Sequence, residues 1–214
     1  MIAVTFAVPS ESQSFRQLLG RGDHEIAILH TGVGKKSARE RIEPFLDGQR
    51  FQFLLSSGFA GGLAPSLGVA DLLLAENFSD PQLLVRAQRL LIAQTGKLAT
   101  TDRILETAAE REAFAHVENA LAVDMETATI AAACAARQLP MLSLRVISDT
   151  AAAPFPAPPS VLFNLARQRT EPLALARYLA RHPTGAIQLL RFARQIAVAR
   201  HSLTSALAIL VREL

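Results

Sequence analysis

Residues 122–130, AVDMETATI, set two carboxylates, Asp124 and Glu126, around Met125 at the head of an alanine-rich run. A helix start accounts for part of this, with Asp124 as the N-cap and Glu126 as a first-turn acid favoured by the helix dipole. A capping box would place Glu or Gln three residues after the cap, but Thr127 stands there, so Glu126 is left to point elsewhere. A second acid, Asp149, follows Ser148 at the end of the apolar run MLSLRVISD, residues 141–149. Arg145 inside that run needs a carboxylate partner if it is buried. A third acid, Glu11, follows the first apolar run. Three carboxylates gathered at strand ends around one mouth cost stability unless a ligand or a catalytic task uses them.

Two glycine clusters add candidate ligand-lining backbone. In HTGVGKKSA, Gly32 and Gly34 lie between an apolar run and a helical one. A dinucleotide fingerprint would need Gly at 37, which is Ser, and a P-loop would need Gly five positions before Gly34. A plain structural turn and an anion-binding helix N-terminus both remain open there. In LLSSGFAGGLAP, Ser56 and Ser57 precede Gly58, Phe59, Ala60, Gly61 and Gly62. Three glycines in five residues at a strand's carboxyl end let backbone approach a ligand and aim N–H groups at it.

Positioning these groups falls to short β-rich runs that alternate with longer helical ones, the pattern of an α/β fold. Strands are expected at 2–8, 25–31, 51–57, 69–76, 97–100, 120–124 and 141–148. Helices are expected at 11–20, 34–47, 81–94, 102–116, 125–138, 159–181 and 186–212. In an open α/β sheet a ligand sits outside the carboxyl ends of strands, which is where Asp149 falls. The proline-rich stretch 151–159, AAAPFPAPP, follows a strand directly and reads as an active-site loop.

With 214 residues the chain can bury one sizeable core, and a single domain is expected over 1–214, with 159–214 as its C-terminal helices. No His/Cys cluster offers a metal site. One Tyr, no Trp and no series of stacking aromatics speak against nucleic-acid binding. Cys134 is the one cysteine and reads as a small buried residue, in keeping with a cytoplasmic location. Apolar runs such as 69–75 are too short to span a bilayer, and MIAVTFAVPSES lacks the features of a secretory signal. The final helix places Leu189, Phe192, Ile196, Leu203, Leu207 and Leu210 near one face, with Arg191, Arg194, Arg200 and His201 mostly off it. Packing on the sheet explains that pattern, and so does lying flat on an anionic membrane surface.

Four motifs, TGVGKKSA, SGFAGGLAP, VDMETATIA and LRVISD, occur in an order that resembles the nucleoside phosphorylase/nucleosidase superfamily. Within it the chain is most similar to the 5′-methylthioadenosine/S-adenosylhomocysteine nucleosidase branch, over residues 1 to about 150. The shortened middle, the SDTAAAPFP loop and the two arginine-rich C-terminal helices are similar to hopanoid-biosynthesis-associated phosphorylases, which act on adenosylhopane.

The resemblance implies a three-layer phosphorylase/hydrolase-like α/β fold, with a central mixed twisted sheet flanked by helices. It also implies cleavage of the N-glycosidic bond of a purine, adenosyl-type nucleoside. On it, Asp149 contacts the purine and helps protonate N7, with Ser148 beside it. Glu126 binds the ribose hydroxyls, Met125 packs on the sugar, and Glu11 activates water. Gly58, Phe59, Ala60 and Gly61 line the substrate, and Ile104 takes a position often held by an aromatic stacked on the base. The implied partners are a small-molecule purine nucleoside and a second copy in a homodimer; a membrane surface met through the C-terminal helices is the alternative that their basic amphipathic pattern leaves open. No cofactor is implied beyond inorganic phosphate as co-substrate if the reaction is phosphorolysis.

The chemistry asks for the same groups. Breaking an N-ribosidic bond builds an oxocarbenium-like sugar and a negative purine, so an acid is needed at the base and negative charge or hydrogen bonds near the ribose. Burial and neighbouring carboxylates would raise the pKa of Asp149 for that work. Phe59 replaces a residue that often carries a hydroxyl, and no phosphate-binding arginine stands beside Ser56–Gly62, so water is favoured as nucleophile. The short connection NFSDP removes a segment that reaches a neighbouring subunit in the nucleosidases. A different class of function, a nucleoside-binding or membrane-associated protein without activity, uses the same fold.

Overall fold

The computed structural model describes residues 1–19, 25–153, 161, 172–182 and 185–214. Its eight strands are β1 Ile2–Phe6, β2 Ile26–His30, β3 Leu54–Gly62, β4 Leu72–Ala75, β5 Gln94–Gly96, β6 Leu98–Thr100, β7 Ala122–Asp124 and β8 Met141–Asp149. Between them run α1 Pro9–Leu19, α2 Lys35–Asp47, α3 Pro81–Leu90, α4 Ala108–Glu118 and α5 Thr127–Ala135, followed by α6 Pro172–Arg181 and α7 Gly185–Glu213.

The main sheet has the order β2-β1-β3-β8-β4-β5, while β7 pairs with both the end of β3 and β6. β1 is parallel to β2 and β3, and β3 is parallel to β8; β4 runs antiparallel to β8. A mixed twisted α/β sheet with helices on both faces is therefore observed. β3 and β8 lie at its centre and read as near-continuous buried runs, as strands covered on both faces must. Successive residues alternate between the two faces. Val4, Leu55 and Leu142 join Phe15, Leu203, Leu207 and Leu210 from α1 and α7 on one side. Ala3, Leu54 and Met141 join Ile42, Leu46, Ile130 and Cys134 from α2 and α5 on the other.

Several expected boundaries move. The strand expected at 51–57 begins at Leu54 and runs through the whole glycine cluster to Gly62, because the glycines supply strand backbone with no side chain to obstruct its neighbours. The strand expected at 97–100 is β6, and a further strand, β5, precedes it where none was expected. The helix expected at 81–94 stops at Leu90, since Leu91 is extended. The helix expected from 102 starts at Ala108, fixed by a capping box between Thr107 and Glu110. The helix expected over 125–138 spans Thr127–Ala135, with Glu126 as its N-cap residue and no side-chain cap bond from it. Most of the helix expected at 159–181 lies outside the described residues, apart from α6, as does the loop from 154 to 159.

The last helix is held hard at its far end. Leu203, Leu207 and Leu210 are fully buried against the sheet, and Arg86 Nη2 donates to the carbonyl oxygens of Glu213 and Leu214 at 2.7 and 2.9 Å. Leu203→Ala should lower the unfolding free energy by about 2–5 kcal/mol in urea titration. A loss well below 1 kcal/mol would contradict this seating.

Candidate active site

Glu11 opens the site. It lies in the first turn of α1 and is 4% exposed, and its carboxylate crosses to the neighbouring strand. One oxygen accepts from the Ala7 and Val8 amides at 2.8 and 3.2 Å, and the other accepts from the Phe59 amide of β3 at 3.1 Å. The crossing needs Gly58: its φ is +153°, and a Cβ there would stand 3.3 Å from the Glu11 carboxylate. Burial raises the Glu11 pKa above the usual carboxylate value, against the lowering effect of the backbone donors and Arg145.

Glu126 faces the same space. Its Oε1 accepts from the Gly34 amide at 2.6 Å, and Gly34 has φ +91°. The anion drawn to the N-terminus of α2 is thus the protein's own carboxylate, which accounts for the TGVG turn. Burial first, and then the adjacent Asp124 charge, push the Glu126 pKa up to about 8. Glu11, Glu126 and Arg145 line one small cavity of about 10 Å³, together with Phe6, Thr31, Ile130, Gly58 and Phe59. That is about the room one water needs.

Asp124 plays a separate part. It accepts from the Thr127 amide, from both the Thr100 and Thr127 hydroxyls, and from Arg145 Nε at 3.1 Å. It therefore caps α5 from two residues before the cap position and supplies the partner that a buried Arg145 requires. Arg145 Nη2 also donates to Ser56 at 2.8 Å and Thr127 at 2.5 Å, which leaves this buried pair well satisfied.

A second cluster lies farther along β3. The β3–β8 register slips between Ala60 and Gly61, so that Ala60 faces Ile147 and Gly61 faces Asp149. Ser148 is the extra residue of that bulge, and its hydroxyl donates to Asp149 at 2.6 Å and to the Ala60 carbonyl at 3.3 Å. The Ser148 hydroxyl is thus engaged with Asp149 and the strand. The other Asp149 oxygen takes a buried ion pair from Arg111 of α4. Asp149 was expected to sit among carboxylates; it faces a guanidinium instead, and it lies outside the lining of the cavity that holds Glu11 and Glu126. The two clusters are three residues apart along β3, from Gly58 to Gly61, or about 10 Å.

Met125 is half-buried between Asp124 and Glu126, and Ile104 is half-buried in the 101–107 loop that leads into α4. Sequence reasoning missed Arg111. It stands in Glu110-Arg111-Glu112, a charged triplet that reads as a solvated helix face and carries no signal of burial.

A mostly parallel α/β sheet with buried acids at the ends of its central strands defines a ligand-binding α/β protein of the kind that places chemistry at strand ends. A family model described as "Phosphorylase superfamily" matches residues 77–181. The 5′-methylthioadenosine/S-adenosylhomocysteine nucleosidases of Bacillus cereus (strain B4264) and Bacillus anthracis (strain A0248) are 27% identical over 163 residues, covering 60% of this chain and 69% of theirs. The inhibitor-bound nucleosidase of that type from Helicobacter pylori superposes with TM-score 0.74 at 20% identity, covering 100% of this chain and 98% of its own. The futalosine hydrolase of Helicobacter pylori gives 0.74 at 19% identity, covering 100% and 97%. The chain is similar to the phosphorylase superfamily over residues 77–181, and its fold matches that of the solved nucleosidases along its whole length.

Two measurements check the electrostatics. Arg111→Met leaves Asp149 as an unpaired buried charge and should cost about 3–5 kcal/mol of stability; a loss below 1 kcal/mol would show that the pair is not buried as described. Native Glu126 keeps its proton up to about pH 8, whereas the unfolded residue releases it near 4.5. The folded protein therefore binds more protons across that interval, and stability of the ligand-free protein falls as pH rises through it. Glu126→Gln should flatten this slope without abolishing it, because Glu11 shifts in the same direction. An unchanged slope in urea titrations across that range would contradict the assignment.

Proposed function

We propose that the protein cleaves the N-glycosidic bond of an adenosyl nucleoside by hydrolysis and releases adenine. The observation that carries this reading is the placing of two buried carboxylates, Glu11 and Glu126, on the lining of one cavity, with the buried acid Asp149 about three residues farther along β3. The nucleosidase relatives, named for methylthioadenosine and S-adenosylhomocysteine, support the choice of bond and base.

As the C1′–N9 bond breaks, its electron pair goes to the purine and the sugar takes on oxocarbenium character. Glu11 accepts a proton from a water whose oxygen bonds to C1′. Glu126 holds the ribose hydroxyls, with Met125 beside the sugar, and Asp149, protonated in the reacting complex, delivers that proton to purine N7. Arg111, the ion-pair partner of Asp149, holds the carboxylate that remains after that transfer. The sum is nucleoside plus water giving adenine plus free sugar. In this reading sugar and base lie along the strand Gly58, Phe59, Ala60 and Gly61, and Ile104 packs on the base.

Water is preferred over phosphate on electrostatic grounds. A phosphate in the cavity would meet the Glu11 carboxylate, while Arg145, the guanidinium on its wall, is already paired with Asp124. Phosphorolysis, including that of a lipid-tailed adenosyl compound such as adenosylhopane, is the competing reading and requires phosphate in the assay. The homodimer expected from the sequence belongs to this proposal, and light scattering against the 23.1 kDa chain mass checks it.

Adenine release from S-adenosylhomocysteine or methylthioadenosine is the assay. Glu11→Gln and Asp149→Asn should each lower kcat by about 10²–10⁴-fold, the usual worth of one positioned proton transfer. Full activity in either folded variant would remove that residue from the mechanism.

A further inference from the structure

The N-terminal half of α7 presents a face that the catalytic reading does not use. From Ala199 onward the helix is built into the core, with Ala199, Leu203 and Leu207 fully buried and Ser202 bonded to the Ala70 carbonyl at 3.0 Å. Before Ala199 the same helix continues with its outer side uncovered. Ile187, Leu190 and Val198 are 59%, 56% and 58% exposed, and Arg191, Arg194 and His201 are exposed among them. At about 100° per residue, these six positions fall within roughly 100° of arc, opposite the stripe that enters the core. Ile187 to Val198 spans about 17 Å along the axis.

The charge on this region has one sign. No Asp or Glu occurs from Pro172 to Arg212, while Arg177, Arg181, Arg191, Arg194, Arg200 and Arg212 all fall there. On α6, Arg177 and Arg181 are exposed, as is His182 just beyond it. A face that merely met water would mix charge signs and would not expose Ile, Leu and Val side by side. Branched apolar side chains interleaved with arginines, without a single acid, suit the boundary between lipid headgroups and acyl chains. There the apolar groups leave water and the guanidinium groups reach the phosphates. A second copy of this chain fits poorly, because pairing the face with itself sets arginine against arginine. Among the described residues no helix is long and apolar enough to cross a membrane, so the contact is with a surface.

We infer that the outer face of α7, with its exposed Ile187, Leu190, Arg191, Arg194 and Val198, docks the protein on an anionic lipid surface. This contact stands independently of the reaction proposed above, because it is read by vesicle binding and not by turnover.

The test is cosedimentation of the full chain with vesicles of phosphatidylcholine alone and of phosphatidylcholine mixed with phosphatidylglycerol. Binding is expected to the mixed vesicles, with weakening in high salt. Reversing Arg191 and Arg194 to Glu should lower that affinity by about tenfold or more. Ile187→Ser with Leu190→Ser keeps every charge and should also weaken binding several-fold, since apolar insertion contributes. All four positions are on the surface, and circular dichroism confirms that the variants fold. Absence of binding, equal binding to neutral vesicles, or wild-type binding by either double variant would overturn the inference. So would tighter binding to a duplex DNA competitor that strips the protein from vesicles.

Discussion

Arg145 is 2% exposed in the middle of β8, where an unpaired guanidinium would cost several kcal/mol, and much of the site's geometry depends on how it is satisfied. Asp124 at the end of β7 neutralises it, the hydroxyls of Ser56 on β3 and Thr127 on α5 accept from its Nη2, and the Leu144 carbonyl accepts from its Nη1. Four elements are tied at one point. Because Asp124 is fixed there, Glu126, two residues on, is delivered to the cavity at the start of α5. Ser56 and Gly58 stand on the same strand, so the pair also sets where β3 meets Glu11.

This arrangement separates the acids by task. Asp124 is saturated with donors and serves structure. Glu11 and Glu126 line one cavity with a guanidinium that is already paired, and burial lifts both above ordinary carboxylates. Asp149 lies in a different setting, bonded to Ser148 and ion-paired with Arg111. Acids in unlike environments on either side of a short strand segment can divide acid and base work without exchanging roles.

The α/β class, the central strand 141–149 and the acids at strand ends were legible because apolar runs and punctuating acids are local signals. The requirement that Arg145 find a carboxylate was legible too, since burial of a charge in an apolar strand permits little else. Less was legible where backbone, not side chain, carried the meaning. Gly58, Gly61 and Gly62 read as the end of a strand, yet they continue it, because their missing side chains admit Glu11, Arg111 and Asp149. The T-x-x-E box at Thr107 and Glu110 would have placed the start of α4 correctly. Arg111 had no signal at all: its burial depends on a tertiary contact with β8, and its sequence neighbours are charged.

The central claim is that this cavity performs hydrolysis at an adenosyl N-glycosidic bond. It is tested most directly by adenine release from methylthioadenosine, S-adenosylhomocysteine, adenosine and an alkyl-tailed adenosyl compound, each with and without inorganic phosphate. The account predicts release from at least one 5′-substituted compound in phosphate-free buffer, at a rate that phosphate does not raise. Release that requires phosphate, or none from any member of the panel by folded protein, would contradict it.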